Sequence, residues 1–149
     1  MKNIDEKFIN FIKKHHVLTL ATSVNNIPYC ANCFYAYSKK HNVFIFTSDN
    51  DTKHINDVRK NSNVAASIVL ETNIIGKIRG LQINGIMYEP EGELLKSVNR
   101  KYMLKYPFAK LMKTKLWVLK PDFIKLTDNR LGFGTKLKWH TEETKVDKI

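Results

Sequence analysis

The sequence predicts an α+β fold, an antiparallel barrel with flanking helices, on three observations. Short runs rich in β-branched and aromatic residues recur along the chain, most of them bounded by Asn, Asp, Gly or Pro. The first runs are joined by turns too short for the crossover that parallel strands need. Three other stretches place apolar residues at helical spacing, and they fall at the ends of groups of strands.

Residues 4 to 15 put Ile4, Phe8, Phe11 and Ile12 on one helical face, with Asn3 and Glu6 spaced as a capping pair. Val17 to Ser23 follows as a strand, and Asn25-Asn26 as a hairpin turn ahead of Pro28. Tyr29 to Ser38 reads as one strand, which His41-Asn42 turns back into the apolar strand Val43 to Thr47. A helix from Thr52 to Lys60 comes next, with Asp49 and Asp51 as candidate caps. Val64 to Leu70 is a strand and Asn73 to Lys77 a turn around Gly76. Ile78 to Tyr88 is a long strand of the kind that bends through both sides of a barrel, and its Gly80 and Gly85 mark bends or close backbone approach. Pro90, among Glu89, Glu91 and Glu93, suits a first helical turn. Leu94, Leu95, Val98 and Tyr102 form that helix's apolar stripe, and Pro107 breaks it. Lys115 to Leu119 and Phe123 to Thr127 read as separate strands around Pro121. Leu131 to Trp139 is a glycine-bearing tail held by Phe133 and Trp139.

A chain of 149 residues fits a single domain, and 43% hydrophobic with 26% charged residues is globular composition rather than disorder. No apolar run is long enough to cross a bilayer, so no membrane partner is expected. Asp5 and Glu6 stand where an export signal would be apolar, and the cysteines number only two, so a reducing, cytoplasmic setting is expected. The net charge of +11 favours anionic partners. Much of it lies between Leu94 and Pro121, which carries Lys96, Arg100, Lys101, Lys105, Lys110, Lys113, Lys115 and Lys120 without one acid.

Val43 to Val58 is the segment most suggestive of a ligand. An apolar strand ends in the hydroxyl pair Thr47 and Ser48, a polar turn follows, and a helix opens at Thr52-Lys53. Unpaired N–H groups and the positive dipole end at such a start hold anions, and a threonine with a lysine suits a phosphate; an ordinary capped helix reads the same way. Cys30 and Cys33 form a C-x-x-C inside a strand, where residues three apart face opposite ways, so buried strand cysteines fit better than a redox pair or half a zinc site. None of the five histidines sits at a metal-ligand spacing, and His15-His16 suits a helix end with free carbonyls. No nucleophile, P-loop or dinucleotide motif is present, so an enzyme of this sequence takes its chemistry from a cofactor. Tyr102, Tyr106, Phe108 and Trp117 among the lysines could stack bases, but two of the four belong to buried positions and no RNA-binding signature matches; nucleic acid is not the favoured partner.

In order along nearly the whole chain, HHVLTLAT (His15 to Thr22), PYCANCFYAY (Pro28 to Tyr37), VFIFTSDNDTKH (Val43 to His54), IRGLQINGIM (Ile78 to Met87) and LTDNRLGFGTKLKW (Leu126 to Trp139) resemble the pyridoxamine-phosphate-oxidase-like, FMN-binding split barrels, above all a small uncharacterised bacterial family among them. The resemblance implies an antiparallel split β-barrel and a homodimer with two FMN clefts at its interface. It implies that Cys30, Ala31 and Asn32 touch the flavin largely through backbone groups, and that Thr47, Ser48, Thr52 and Lys53 hold its phosphate end. The opposite subunit would present Gln82, Lys136 and Trp139. The function implied is a flavin-dependent oxidoreductase serving a small-molecule electron donor and acceptor. Thr52-Lys53 stands where true pyridoxamine phosphate oxidases have two adjacent basic residues, which argues against their substrate. The rival readings are a non-enzymatic module for haem, flavin or deazaflavin, and a nucleic-acid-binding barrel using residues 96–120.

Overall fold

The computed structural model describes residues 4–141. In chain order the elements are α1 (Glu6–Lys14), β1 (Val17–Val24), β2 (Ile27–Phe34), β3 (Ala36–Ser38), β4 (Val43–Ser48), α2 (Lys53–Lys60), β5 (Asn63–Val69), β6 (Arg79–Tyr88), α3 (Gly92–Lys105), β7 (Lys115–Asp128) and β8 (Lys136–His140). Single 3-10 turns occupy Ile75–Lys77, Pro107–Leu111 and Asn129–Leu131. All strand pairs are antiparallel, in the order β2-β1-β5-β6-β7-β4-β3, with β8 added beside β7. This is the α+β split barrel.

Its edges are β2 and β3, which are consecutive in the chain and part at Tyr35. The run read as one strand from Tyr29 to Ser38 is therefore two. Tyr35 is buried with its hydroxyl donating to the Ile12 carbonyl at 2.6 Å, and that anchor turns the chain from one side of the sheet to the other. The Asn25-Asn26 turn is as read: both residues adopt positive φ, 52° and 62°, which matches the twist of a two-residue hairpin.

The two strands expected around Pro121 are one strand, β7. Its first half borders β4, its second half borders β8, and β6 runs along its other side throughout. A bulge opposite Asn84 and Gly85 lets Pro121 sit in the ladder, because proline has no N–H to give. A side chain at Gly85 would meet the Lys120 carbonyl oxygen at 2.2 Å, so this crossing requires glycine. The tail expected from Leu131 holds β8, and Phe133 does not anchor it, being 84% exposed.

Helix ends depart from expectation as well. Asp5 caps α1, accepting from the Lys7 amide at 2.8 Å, and Asn3 lies outside the described residues. Thr52, not Asp49 or Asp51, takes the α2 N-cap position. α3 starts at Gly92 behind Glu91, so Pro90 precedes the helix instead of entering its first turn. Leu95, placed on the stripe by spacing, is exposed, and Val98 with Tyr102 carries the burial.

Two cores result. Inside the barrel, Phe8, Phe11 and Ile12 of α1 pack against Leu18, Leu20, Phe44, Phe46, Leu81 and Trp117. On the outside of β3, β4 and β7, Val98, Tyr102 and Tyr106 of the α3 region cover Ala36, Val43, Ile45 and Val118. The outward face of β2, β1, β5 and β6 has no helix over it, and Phe34, Val17, Val69 and Ile86 are exposed there.

Candidate functional site

Two clusters flank the split, one at the start of α2 and one on the outer side of β2. Strand alternation divides the hydroxyl pair at the end of β4 between them. Ser48 is turned inward to α2: its Oγ lies 2.7 Å from His54 Nε2 and 3.2 Å from Thr52 Oγ1. Thr47 is turned outward, its Oγ1 3.4 Å from the Tyr102 hydroxyl. Thr47 and Ser48 therefore do not form one grip.

The α2 cluster holds Ser48, Thr52 and Lys53, and adds His54 and Asp57. Lys53 Nζ donates to both Asp57 carboxylate oxygens at 3.0 Å and stands 5.1 Å from the centre of the Tyr29 ring. Asp57 is buried and also accepts from Thr22 Oγ1 at 2.9 Å; the Lys53 bond is the main reason its carboxyl is held below the usual range. Burial pushes the His54 imidazole down, against the pull of Asp57, so the ring beside Ser48 is neutral at pH 7. Thr52 makes no capping bond with its side chain; its hydroxyl donates instead to the Asp49 carbonyl at 3.0 Å. The Lys53 side chain is 51% exposed, and with two of its three N–H bonds on Asp57 the third remains for an outside acceptor.

The β2 cluster is an edge. Tyr35 N donates to His16 O at 2.9 Å, and this fixes the pairing parity of the hairpin: Ala31 exchanges bonds with Leu20, whereas Cys30 and Asn32 turn their backbone groups to the free edge. Of the three residues expected to offer backbone contacts, Ala31 is thus committed to the ladder. Cys30 is exposed, contrary to the reading of two buried cysteines; only Cys33 is buried, and burial raises its thiol to about 11. Asn32 Oδ1 accepts from Thr19 Oγ1 at 2.9 Å. Across the gap the Tyr102 hydroxyl reaches both Thr47 and the Phe34 carbonyl, each at 3.4 Å. Phe34 meets Tyr106 edge to face at 6.0 Å, so the gap has an aromatic wall.

Gln82 shares the outward row Asn32–Thr19–Ser67–Gln82, three strands in from the edge, or roughly 14 Å at normal strand spacing. Lys136 is exposed opposite Thr127 on β8, a strand that pairs with β7 and not with β2. Trp139 is displaced from the expected site altogether: it faces inward against Ile124 and is 4% exposed in the barrel core. His54 and Asp57 carried no motif in the sequence. The one signal for Asp57 was a lone acid four residues after Lys53, the spacing of a helical ion pair.

Among the described residues no group of His, Cys, Asp and Glu is placed to hold a metal ion, and no helix is long and apolar enough to cross a membrane. The donors fit a phosphate-bearing flavin: a helix start without a side-chain cap and a half-exposed lysine at one end, and an open strand edge with an aromatic wall at the other.

No family model matches the chain. A UPF0306 protein of Photorhabdus laumondii is 36% identical over 129 residues, covering 87% of this chain and 90% of its own length. This chain belongs to the UPF0306 family. A UPF0306 protein of Cronobacter sakazakii is likewise 36% identical, over 132 residues. Solved structures share the fold at low identity. A haem-binding protein from Mycobacterium smegmatis superposes with a TM-score of 0.74 at 16% identity, over 87% of this chain and 55% of that one. A FAD-binding protein from Mesorhizobium loti gives 0.67 at 14%, over 83% and 93%. A protein of Listeria innocua, provisionally named a pyridoxamine 5′-phosphate oxidase, gives 0.61 at 17%, over 80% and 94%. The fold is that of the pyridoxamine-phosphate-oxidase-like split barrels.

Proposed function

We propose that the chain is a cytoplasmic, FMN-binding homodimer and a flavin-dependent oxidoreductase. The observation that carries this reading is the α2 start, where first-turn amides without a side-chain cap and the spare N–H of Lys53 stand beside an open β2 edge. FMN has one doubly charged phosphate and one flat apolar ring. Lys53 and the first-turn amides of α2 bind the former with charge-assisted hydrogen bonds. The backbone groups of Cys30 and Asn32 orient the ring, and Phe34, Tyr102 and Tyr106 keep water from its edge. Bound flavin supplies transfer of hydride or electrons between a small-molecule donor, such as a reduced nicotinamide, and an acceptor.

The uncovered outward face supports a dimer, because Val17, Phe34, Val69 and Ile86 are exposed there and a second copy would cover them. Lys136 then stands as the cation that stabilises charge on a reduced ring. The haem-binding neighbour favours a second reading, a non-catalytic module on the same cleft.

Titration of apo protein with FMN and with riboflavin tests the phosphate grip. FMN is expected to bind more tightly, and Lys53→Ala to weaken FMN by about 1.5–3 kcal/mol, the scale of a charged hydrogen bond, while leaving riboflavin alone. Equal affinity for the two ligands in the wild type would reject the grip. The spectrum of freshly purified protein separates flavin from haem, and oxidation of reduced nicotinamide with quinone, flavin or aromatic acceptors tests turnover.

A further inference from the structure

A groove on the far side of α3 from the flavin cleft runs between that helix, α1 and β3. It has two adjoining compartments that share Lys101 and Leu104. One, of about 330 Å³, is floored by Ile12, Tyr35 and Ala36. The other, of about 370 Å³, lies between the hydroxyl residues Ser38 and Ser97 and the cations Lys39, Lys40 and Arg100. Together they are of ligand-binding size.

Charge in the groove is one-sided. Lys39 is paired with Glu6, but Lys13, Lys40, Arg100 and Lys101 form no ion pair among the described residues. Lys105, on the wall, donates to the Tyr35 carbonyl at 2.8 Å, and burial together with Lys101 pulls its ammonium below the ordinary range. Several like charges around one hollow call for a multiply charged anion, not a single carboxylate. The apolar compartment narrows the class further. The Tyr35 and Tyr37 hydroxyls are spent on the Ile12 carbonyl and on Asn42, so the floor offers no directional hydrogen bond, and with Ile12, Tyr35 and Ala36 closed off the packing surface is Leu104 with the stems of Lys13 and Lys101. Lysines at its rim favour an aromatic face over an acyl chain, because an ammonium is attracted to a π-system.

We propose that this groove binds a nucleoside polyphosphate, its base in the apolar compartment and its phosphates over Lys40, Arg100 and Lys101. The site is independent of the flavin reading and shares no residue with it.

Calorimetric titration of the full chain with metal-free ATP, inorganic triphosphate, adenosine and a short single-stranded RNA tests it. ATP is expected to bind several-fold tighter than triphosphate, and adenosine more weakly than either. The Arg100→Ala, Lys101→Ala double variant loses about tenfold or more in ATP affinity, whereas Lys110→Ala, Lys113→Ala removes the same charge from the chain and changes little. Leu104→Ser weakens ATP and spares triphosphate. All five side chains are exposed, so the fold survives each change. Lys53→Ala leaves ATP binding intact. Equal affinity for ATP and triphosphate, an equal loss in the two double variants, or RNA binding that ATP does not displace would each overturn the proposal.

Discussion

Along β5 and β6 the inward residues Val64, Ala66, Ile68, Leu81, Ile83 and Met87 are buried, while the outward Asn63, Val69, Gln82, Asn84 and Ile86 meet solvent. The same strands thus carry one face closed by α1 and another with no helix over it. The inward face has a completed core and accounts for the fold of one chain. The outward face mixes small residues with exposed branched ones. Burial separates the residues that make the barrel from those left on its surface.

Substitutions on the two faces sharpen that contrast. The largest effect is expected inside: Phe44 is fully buried against the Tyr35 and Tyr37 rings, and Phe44→Ala should cost about 3–5 kcal/mol, read as a lower denaturant midpoint. Next comes acid. Asp57 and Asp128 close the inward face with Thr22, Lys53, Arg79 and Arg130 as partners, and both carboxyls titrate below their ordinary 3.8 in the fold. The unfolded chain binds more protons there, so their stabilisation is whole above about 3.9 and disappears as pH falls through the lower folded values. Urea midpoints from pH 6 downward should show this loss, and Asp57→Asn with Asp128→Asn should flatten it. The smallest change in stability belongs outside: Val69→Lys should change the unfolding free energy of the single chain by less than about 0.5 kcal/mol. It should nevertheless turn a dimer into a monomer in sedimentation; a dimer that survives it does not use this face.

Local chemistry was legible in the sequence where one segment decides it. Asn25-Asn26 names its own turn, Gly85 announces the close crossing, and the helix start at Thr52 follows from the residues around it. What escaped depends on distant partners. Tyr35 breaks a strand because a carbonyl in α1 holds its hydroxyl. Pro121 fails to break one because glycine on the neighbouring strand makes room. Asp57 is buried only because Thr22 comes to it from the first hairpin. Trp139 is a core residue because β8 pairs in a register that turns it inward, and a sequence of alternating lysines does not state which side is in. Sites suffered more than fold, since strand parity separated Thr47 from Ser48 and withdrew the Ala31 backbone.

At Tyr35, where the two edges of the barrel part, the backbone carbonyl is held by the Tyr106 hydroxyl and the Lys105 ammonium, each at 2.8 Å. A ladder of paired strands opens cooperatively, since each bond keeps the next in register. The two side-chain ties at Tyr35 are separate bonds from separate residues, with no such register between them. The barrel is therefore closed at this seam by side chains of the α3 region and not by paired strands, so its two edges are joined through residues far away in the sequence.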